Sequence, residues 1–301
     1  MMVDGVDRRK LYNHLLSRTL RARDNGAADQ ADSRRKSLRL SRLTRLIRRP
    51  VSNQEDSVAT EKERDFLAKC ILPSLEMNAT RLGPLRITGF LSMKGDLYNN
   101  ELMVVGRAVN GWTQGIYPTE LDSSSSREEY AETIYRTVTR QDGCPMEWVA
   151  ECWGNQEDYN TKKSAFWRVI RTVIGELNIA DIDQNTWPSH IVWSNLYKLA
   201  PEEGGNPNNT LCNAQLSGCC SLLKLELSIY NPKRLLLLTG IGWAEPFLNE
   251  IFSIRKTDGT YVEAVGKRKI GDKPMNVVVA THPQGKPENK WVHEVLEGFQ
   301  E

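Results

Sequence analysis

The strongest constraint on the fold of this chain is a regular alternation of short apolar segments with longer amphipathic ones. The strand candidates are Leu102–Val105, Ile191–Trp193, Leu235–Thr239 and Val277–Ala280, and the helix candidates are residues 127–139, 162–177, 211–229 and 288–299. Continuous apolar strands that alternate with helices are typical of a parallel sheet covered on both faces. The sequence therefore predicts a three-layer α/β/α domain with a central four-stranded parallel sheet.

The N-terminal segment differs from the rest of the chain in charge. Residues 1–49 hold 14 Lys and Arg against 5 Asp and Glu, whereas the remaining residues hold 26 against 33. In "SRRKSLRLSRLTRLIRRP" the leucines fall on one helical face, and Arg39, Arg42 and Arg45 occupy much of the rest. We therefore expect residues 1–59 to form a basic helical arm and linker, and residues 60–301 to form the body.

Two interpretations of this arm stay open at the level of sequence. A basic helix is suited to a polyanionic partner, and the phosphates of DNA, most simply double-stranded DNA, are the first candidate. Alternatively, the leucines dock the helix on the body and the arginines are only solvated.

Cysteine and histidine usage, together with hydropathy, limits the remaining classes. The six cysteines show no C-x-x-C spacing, and there are only four histidines, so we expect neither a metal nor another cofactor. No stretch approaches the roughly 20 apolar residues of a membrane span, and the N-terminus lacks the apolar core of a signal peptide. The sequence thus predicts a cytoplasmic protein with no membrane partner and indicates no obligate protein partner.

Polar and aromatic side chains follow the predicted strands. Because the carboxyl ends of parallel strands meet at one edge of a sheet, we expect these residues to line a common cleft. The amide of Asn195 places a donor beside an acceptor, which matches the edge of a pyrimidine without separating uracil from cytosine. The candidates are Gly106, Arg107, Asn110, Trp112, Asn195, Tyr197, His282, Gln284 and Lys286.

Four segments in order resemble the uracil-DNA glycosylase superfamily over about residues 85–300. They are "VVGRAVNGW", the helix "SAFWRVIRTVIGEL" with Phe166 and Trp167, "IVWSNLYKLAP" and "VVATHPQGK". The resemblance implies that Asn195 reads a base and that His282 acts in catalysis. The sequence departs from the family at Ala108, where most members carry an acid or amide that positions water. It also has glutamine where a serine often follows the proline after the histidine.

The resemblance also suggests roles for the other residues. His282 would support negative charge on the departing base, and Asn110, two positions beyond Ala108, would orient the attacking water. Trp112 or Tyr197 would stack on the extruded base beside Gly106. Arg107, Gln284 and Lys286, together with Arg39, Arg42 and Arg45, would contact DNA. No lysine lies in an obvious Schiff-base context, so we expect hydrolysis without strand cleavage.

A long segment, residues 112–161, predicts an insertion that forms a lid or a substrate wall. Its aromatic and acidic residues Trp153, Glu157, Asp158 and Tyr159 suit a sugar attached to a base. Bacterial defence members of the resembled superfamily remove glucosylated cytosines from viral DNA. The sequence therefore predicts excision of a modified pyrimidine, glucosylated hydroxymethylcytosine of phage DNA first, to leave an abasic site.

Three other functions remain open from the sequence. The chain is alternatively a repair glycosylase for uracil or another damaged base, a catalytically silent DNA-binding protein, or a hydrolase of small nucleosides or nucleotides. Ala108 favours the silent binder, and the arginine-rich arm disfavours the small-molecule enzyme.

Overall fold

A computed structural model describes residues 53–139, 143–156, 159–251, 253–270 and 273–301. The predicted helix of the basic arm, with Arg39, Arg42 and Arg45, lies outside these ranges. Glu157 and Asp158, two of the predicted sugar-binding residues, also lie outside them.

Within the residues that the structure describes, nine strands form two sheets. They are β1 Ile87–Gly89, β2 Met93–Lys94, β3 Leu102–Ala108, β4 Ile191–Tyr197, β5 Leu199–Pro201, β6 Arg234–Leu237, β7 Ser253–Lys256, β8 Val262–Ile270 and β9 Lys273–Ala280. The large sheet has the order β2-β4-β3-β6-β9-β8-β7, and β1 pairs with β5 in a small antiparallel sheet. The middle of the large sheet consists of β4, β3, β6 and β9, which pair in parallel.

The α/β class is confirmed, but the predicted sheet of four strands is too small. The four predicted strands are the parallel ones in the middle, and antiparallel strands extend the sheet at both edges. The strands β7 and β8 escaped prediction because charged residues interrupt their apolar pattern, as in "SIRK" and "VEAVGKRKI". Both strands pair in an antiparallel manner, and antiparallel strands can leave one face in water, so they do not need a continuous apolar run.

The helices are α1 Asn53–Phe66, α2 Leu72–Met77, α3 Ala79–Leu82, α4 Ser124–Val138, α5 Trp148–Glu151, α6 Ala165–Glu176, α7 Asn209–Tyr230, α8 Ile241–Ile251 and α9 Glu288–Gly298. The four predicted helices correspond to α4, α6, α7 and α9. Helix α8 was not expected, because Gly242 and Pro246 lie within it and both residues usually interrupt helices. Helix α1 runs across the predicted boundary at residue 60 and continues as a π-helical segment, Leu67–Ile71, into α2.

The strand order distributes the helices between the two faces of the sheet. The chain passes from β3 through α6 to β4 in one direction, and then through α7 to β6 and through α8 to β9 in the other. Right-handed crossovers therefore place α6 on one face and α7 and α8 on the other. The contacts agree, since α9 packs against α6 and α8 packs against α7.

This topology also locates a cleft. The connection after β3 leads to β4, on one side of the β3–β6 pair, and the connection after β6 leads to β9, on the other side. The direction in which the chain adds strands therefore reverses between β3 and β6. Loops that diverge at such a switch point open a crevice outside the carboxyl ends of the strands. The predicted site residues that lie on β3 and β4 and directly after β9 are at the carboxyl ends of these parallel strands.

The segment expected to be a lid or a substrate wall contributes buried aromatic side chains to the core. The indole of Trp148 packs against Trp112, Trp167 and Trp193 at ring-centre distances of 5.4, 5.6 and 5.9 Å. Phe90 extends the group, 4.4 Å from Trp193. These aromatic contacts hold the insertion against the middle of β4, so this part of the insertion packs on the sheet.

Helix α1 is attached to the body by a buried carboxylate. Glu63 is fully buried and accepts hydrogen bonds from the Ser92 amide (3.0 Å), the Ser92 hydroxyl (2.5 Å) and the Tyr230 hydroxyl (2.6 Å). Burial, and then the nearby charge of Glu226, raise the pKa of Glu63 from 4.5 to about 7.

We expect Glu63→Gln to change the pH dependence of stability. Because the folded-state pKa exceeds the unfolded one, the contribution of Glu63 is full below pH 4.5 and is lost as the pH rises through 7. At about 1.4 kcal/mol per pKa unit, the wild type should lose about 3 kcal/mol relative to the variant between these limits. Urea unfolding of both proteins at pH 5 and pH 8 measures this difference. A difference that does not change with pH would contradict the assignment.

Candidate active site at the strand ends

The centre of the site is a pair of neighbouring residues on two parallel strands. Gly106 of β3 lies opposite Asn195 of β4 in the strand register. A Cβ atom at position 106 would lie 2.4 Å from Oδ1 of Asn195, so any larger residue there would displace the amide. Both residues lie within their strands, since β3 continues to Ala108 and β4 to Tyr197, beyond the predicted ends.

The side-chain amide of Asn195 is buried without a partner. The residue is 2 % exposed, and its Nδ2 group has no hydrogen-bond acceptor among the described residues. Leaving a buried donor unsatisfied costs about 1–3 kcal/mol, so such groups are uncommon in folded proteins. The arrangement suits a ligand that brings its own acceptor to this amide.

An aromatic ring lies beside the amide. The Cε2 atom of Phe166 is 3.7 Å from the position that a Gly106 Cβ would occupy, and the ring is half-buried. Its edge-to-face contact with Trp167, at a ring-centre distance of 5.1 Å, fixes its orientation. Phe166 therefore offers an apolar face for a planar ring. The resemblance includes this residue, but its position beside Gly106 depends on the docking of α6.

His282 follows β9 and carries a defined tautomer. The amide of Gln284 donates to Nδ1 of His282 at 3.3 Å, so the proton of the neutral ring lies on Nε2. Burial, and then the positive charge of Arg107, lower the pKa of His282 from 6.5 to about 4. At neutral pH the side chain is therefore an uncharged hydrogen-bond donor.

Arg107 is held in the wall of the cleft. Its Nε atom donates to the carbonyl of Thr239 at 2.7 Å, and its guanidinium lies over the indole of Trp243 at 5.5 Å. The negative charge of Glu263 also acts on it, and that carboxylate accepts from the Ile241 amide at 2.6 Å. We expected Arg107 to bind a DNA phosphate. Its contacts instead connect the ends of β3 and β6.

Sequence reasoning missed Glu263 because no predicted strand contains or precedes it, and it did not single out Trp243 although this residue follows the predicted strand Leu235–Thr239. Trp243 lies in the first turn of α8, and Glu263 lies near the start of β8. Only the pairing of β8 with β9 brings this carboxylate to the carboxyl edge of the parallel strands.

The predicted role of Asn110 does not fit its contacts. Its Oδ1 atom accepts a hydrogen bond of 3.0 Å from the amide of Gly205, and a Cβ at Gly204 would lie 2.4 Å from the same oxygen. Asn110 therefore connects the loop after β3 with the loop after β5.

Trp112 and Tyr197 pack away from the amide. The Nε1 of Trp112 donates to Thr137 Oγ1 at 3.1 Å, and its ring belongs to the aromatic wall described above. Tyr197 packs against Trp243 and Phe247, at ring-centre distances of 5.8 and 5.2 Å, on the face of α8. Phe166 is therefore the aromatic residue that the structure places beside Gly106 and the amide.

The two predicted sugar-binding residues that the structure describes pack against other aromatic residues. Trp153 packs against Trp187 at 5.8 Å, and Arg171 lies over its ring at 5.3 Å. Trp187 precedes the first residue of β4, and a seven-residue strand spans about 20 Å, so Trp153 lies near the opposite end of the sheet. Tyr159 packs against Trp148 at 6.3 Å.

Gln284 and Lys286 are exposed in the loop after His282, so their predicted contacts with DNA stay predictions. Across the ranges that the structure describes, no three His, Cys, Asp or Glu side chains gather as metal ligands. None of the helices within those ranges has both the length and the apolar character needed to cross a membrane.

No protein-family model matches this sequence, and no curated protein shows a significant match to it.

Proposed function

We propose that this chain is a monofunctional DNA glycosylase that extrudes a pyrimidine from DNA and hydrolyses its N-glycosidic bond. The observation that carries the proposal is the buried, unpartnered Nδ2 group of Asn195, which lies beside Gly106 with the ring of Phe166 next to the same glycine. An amide in this setting can hydrogen-bond the edge of a flipped base while the ring stacks on Phe166.

The chemistry follows from the charges that develop as the bond breaks. The electron pair of the N-glycosidic bond moves to the base, and the sugar gains positive charge. The Nε2–H of His282 can donate to a base oxygen as negative charge grows there, without a proton transfer. A water oxygen then bonds to the sugar carbon and releases a proton to solvent, which leaves an abasic site.

The proposed mechanism needs little activation of water. A cation-like sugar reacts readily with a weak nucleophile, so the absence of a polar side chain at Ala108 is compatible with hydrolysis. Ala108 is half-buried and is the last residue of β3, two positions after Gly106. Its side chain is only a methyl group. This small side chain favours a pyrimidine with a substituent over a bare one.

We propose glucosylated hydroxymethylcytosine of phage DNA as the preferred base. Sugar hydroxyls supply several hydrogen-bonding groups, and sites built for such groups reject analogues that lack them. Because Trp153 and Tyr159 pack elsewhere, the partners of the sugar remain to be assigned; Glu157 and Asp158 are the carboxylates of this segment that stay candidates. An antiviral role would follow from this choice of base.

A substrate panel tests the proposal. Duplexes that contain uracil, hydroxymethylcytosine, glucosylated hydroxymethylcytosine or only normal bases are incubated with the protein and then treated with alkali to cleave abasic sites. We expect cleavage of the glucosylated duplex and release of the intact modified base by mass spectrometry. Cleavage of the uracil duplex alone would identify a repair enzyme. Binding without cleavage of any duplex would identify the catalytically silent binder, which Ala108 and the engaged Asn110 favour.

We expect the basic arm to supply affinity and little base selectivity. Deleting residues 1–49 removes a net charge of +9 and should lower DNA affinity and flatten its dependence on salt. Selectivity among bases should persist, because phosphate contacts carry no direct sequence information. Titrations at several salt concentrations, with Arg39, Arg42 and Arg45 replaced by Gln as the full-length comparison, measure this effect. An unchanged salt slope would show that the arm is a structural brace.

A further inference from the structure

A fully buried ion pair lies directly behind the strand that carries Asn195. Lys198 follows the end of β4, Glu226 lies in α7, and neither side chain is exposed. Their Nζ and Oε1 atoms are 2.5 Å apart. Burying two charges in this way contributes little to stability, because the desolvation penalty offsets the attraction. The pair therefore invites a reason other than stability.

The contacts of the ammonium group point to that reason. Besides Glu226, Nζ of Lys198 donates to Oγ of Ser194 and to the main-chain carbonyl of Asn195, each at 2.8 Å. The Ser194 hydroxyl in turn donates to the second carboxylate oxygen of Glu226 at 2.9 Å. These bonds close a ring of polar groups that includes the main-chain carbonyl of Asn195, which belongs to the peptide that links residues 195 and 196.

The same contacts exclude a covalent role for this lysine. An ammonium has three N–H donors, and all three of Lys198 are used. A buried, charged and fully bonded amine has no free electron pair with which to attack the sugar. This agrees with the expectation of hydrolysis without a Schiff base.

The amide of Asn195 needs external support for its orientation. Its side chain makes no hydrogen bond to the described residues, although its Oδ1 packs against Gly106. The hydrogen bond from Lys198 Nζ to the main-chain carbonyl of Asn195 is then a polar contact that helps to fix the direction of the Asn195 side-chain amide. A rotation of this peptide would displace the amide from the base edge, and a misplacement of about 1 Å can cost about 10²-fold in rate.

We propose that Lys198 and Glu226 are positioning residues that hold Asn195 in its base-reading orientation. The proposal rests on the proposed glycosylase function and extends it to base selectivity. Neither residue touches the base. They act through the carbonyl of Asn195 and through Ser194.

The double variant Lys198→Met with Glu226→Leu tests this role, because it removes both charges together and keeps the volume apolar. We expect a cooperative fold, unchanged affinity for unmodified duplex, and a single-turnover excision rate lowered by about 10²-fold. The ratio of rates on the glucosylated and uracil duplexes should also fall. Tyr230→Phe is the matched control, since it removes a buried polar contact of the same helix that does not reach Asn195.

The outcomes separate the two proposals. If the wild type releases no base from any duplex, both proposals fail. If the wild type is active and the double variant keeps its rate and selectivity, only the positioning role fails. Should the double variant not fold, Glu226→Gln replaces it, because this change keeps the shape of the side chain and weakens the hold on Lys198. Unchanged selectivity in that variant overturns the positioning role, and lower selectivity with unchanged DNA affinity supports it.

Discussion

Replacing Asn195 by alanine is expected to lower base release by about 10²-fold while non-specific DNA binding stays nearly intact. The variant removes two hydrogen bonds to the base edge, at up to about 1.5 kcal/mol each, and every 1.4 kcal/mol is a factor of about ten in rate. Asn195→Asp should be at least as damaging, because an ionised carboxylate accepts but cannot donate. Single-turnover excision and fluorescence binding measurements separate the two effects.

Asn110→Ala is the matched comparison for this prediction. Both asparagines lie at the carboxyl ends of parallel strands, but Asn110 bonds to Gly205 in a neighbouring loop. We expect its replacement to lower the excision rate by less than the Asn195 variants do. Equal losses of binding and excision in Asn195→Ala would point instead to a folding role for Asn195.

Replacing His282 by alanine should lower the excision rate by about 10²–10³-fold, the effect of removing one preorganised donor from a developing negative charge. The pH profile gives a second and more specific result. The pKa of His282 is lowered to about 4, so the side chain stays neutral as the pH falls past its usual value of 6.5. The acid limb of kcat/KM should therefore lie near pH 4, because this ratio reports on the free enzyme.

Arg107→Gln tests the cause of this pH profile. Its positive charge is the second cause of the low pKa of His282, after burial. Removing the charge should move the acid limb of kcat/KM to higher pH while the neutral-pH rate changes less than in His282→Ala. An acid limb at pH 6.5 in the wild type would show that His282 is not the buried neutral donor.

Much of the framework is determined locally and is therefore readable from the sequence. The central strands β3, β4, β6 and β9 are buried on both faces, so their apolar runs identify them without knowledge of their neighbours. Helices α4, α6, α7 and α9 bury one face each, so their apolar residues recur with the period of a helix and identify them as well. Because parallel strands share one carboxyl edge, the positions of Gly106, Asn195 and His282 along the chain were enough to place them at the same edge of the sheet.

Only the tertiary structure decided what those positions do. The direction of a side chain depends on partners distant in sequence, and no pattern in "GRAVNGW" indicates that Asn110 bonds to Gly205 or that Arg107 reaches Thr239. Trp153 was assigned to the site by composition, although the docking of its segment carries it toward the other end of β4.

The residues that complete the site come from such distant contacts as well. Phe166 reaches Gly106 only when α6 docks on the sheet, and Glu263 reaches the site through the antiparallel pairing with β9 of β8, a strand whose charged residues interrupt its apolar pattern. The ion pair of Lys198 and Glu226 joins residues on different elements. Local sequence thus determined the layers and the edge at which the candidate site residues lie, whereas long-range packing decided the contacts of their side chains, because packing fixes the rotamers and partners that periodicity leaves free.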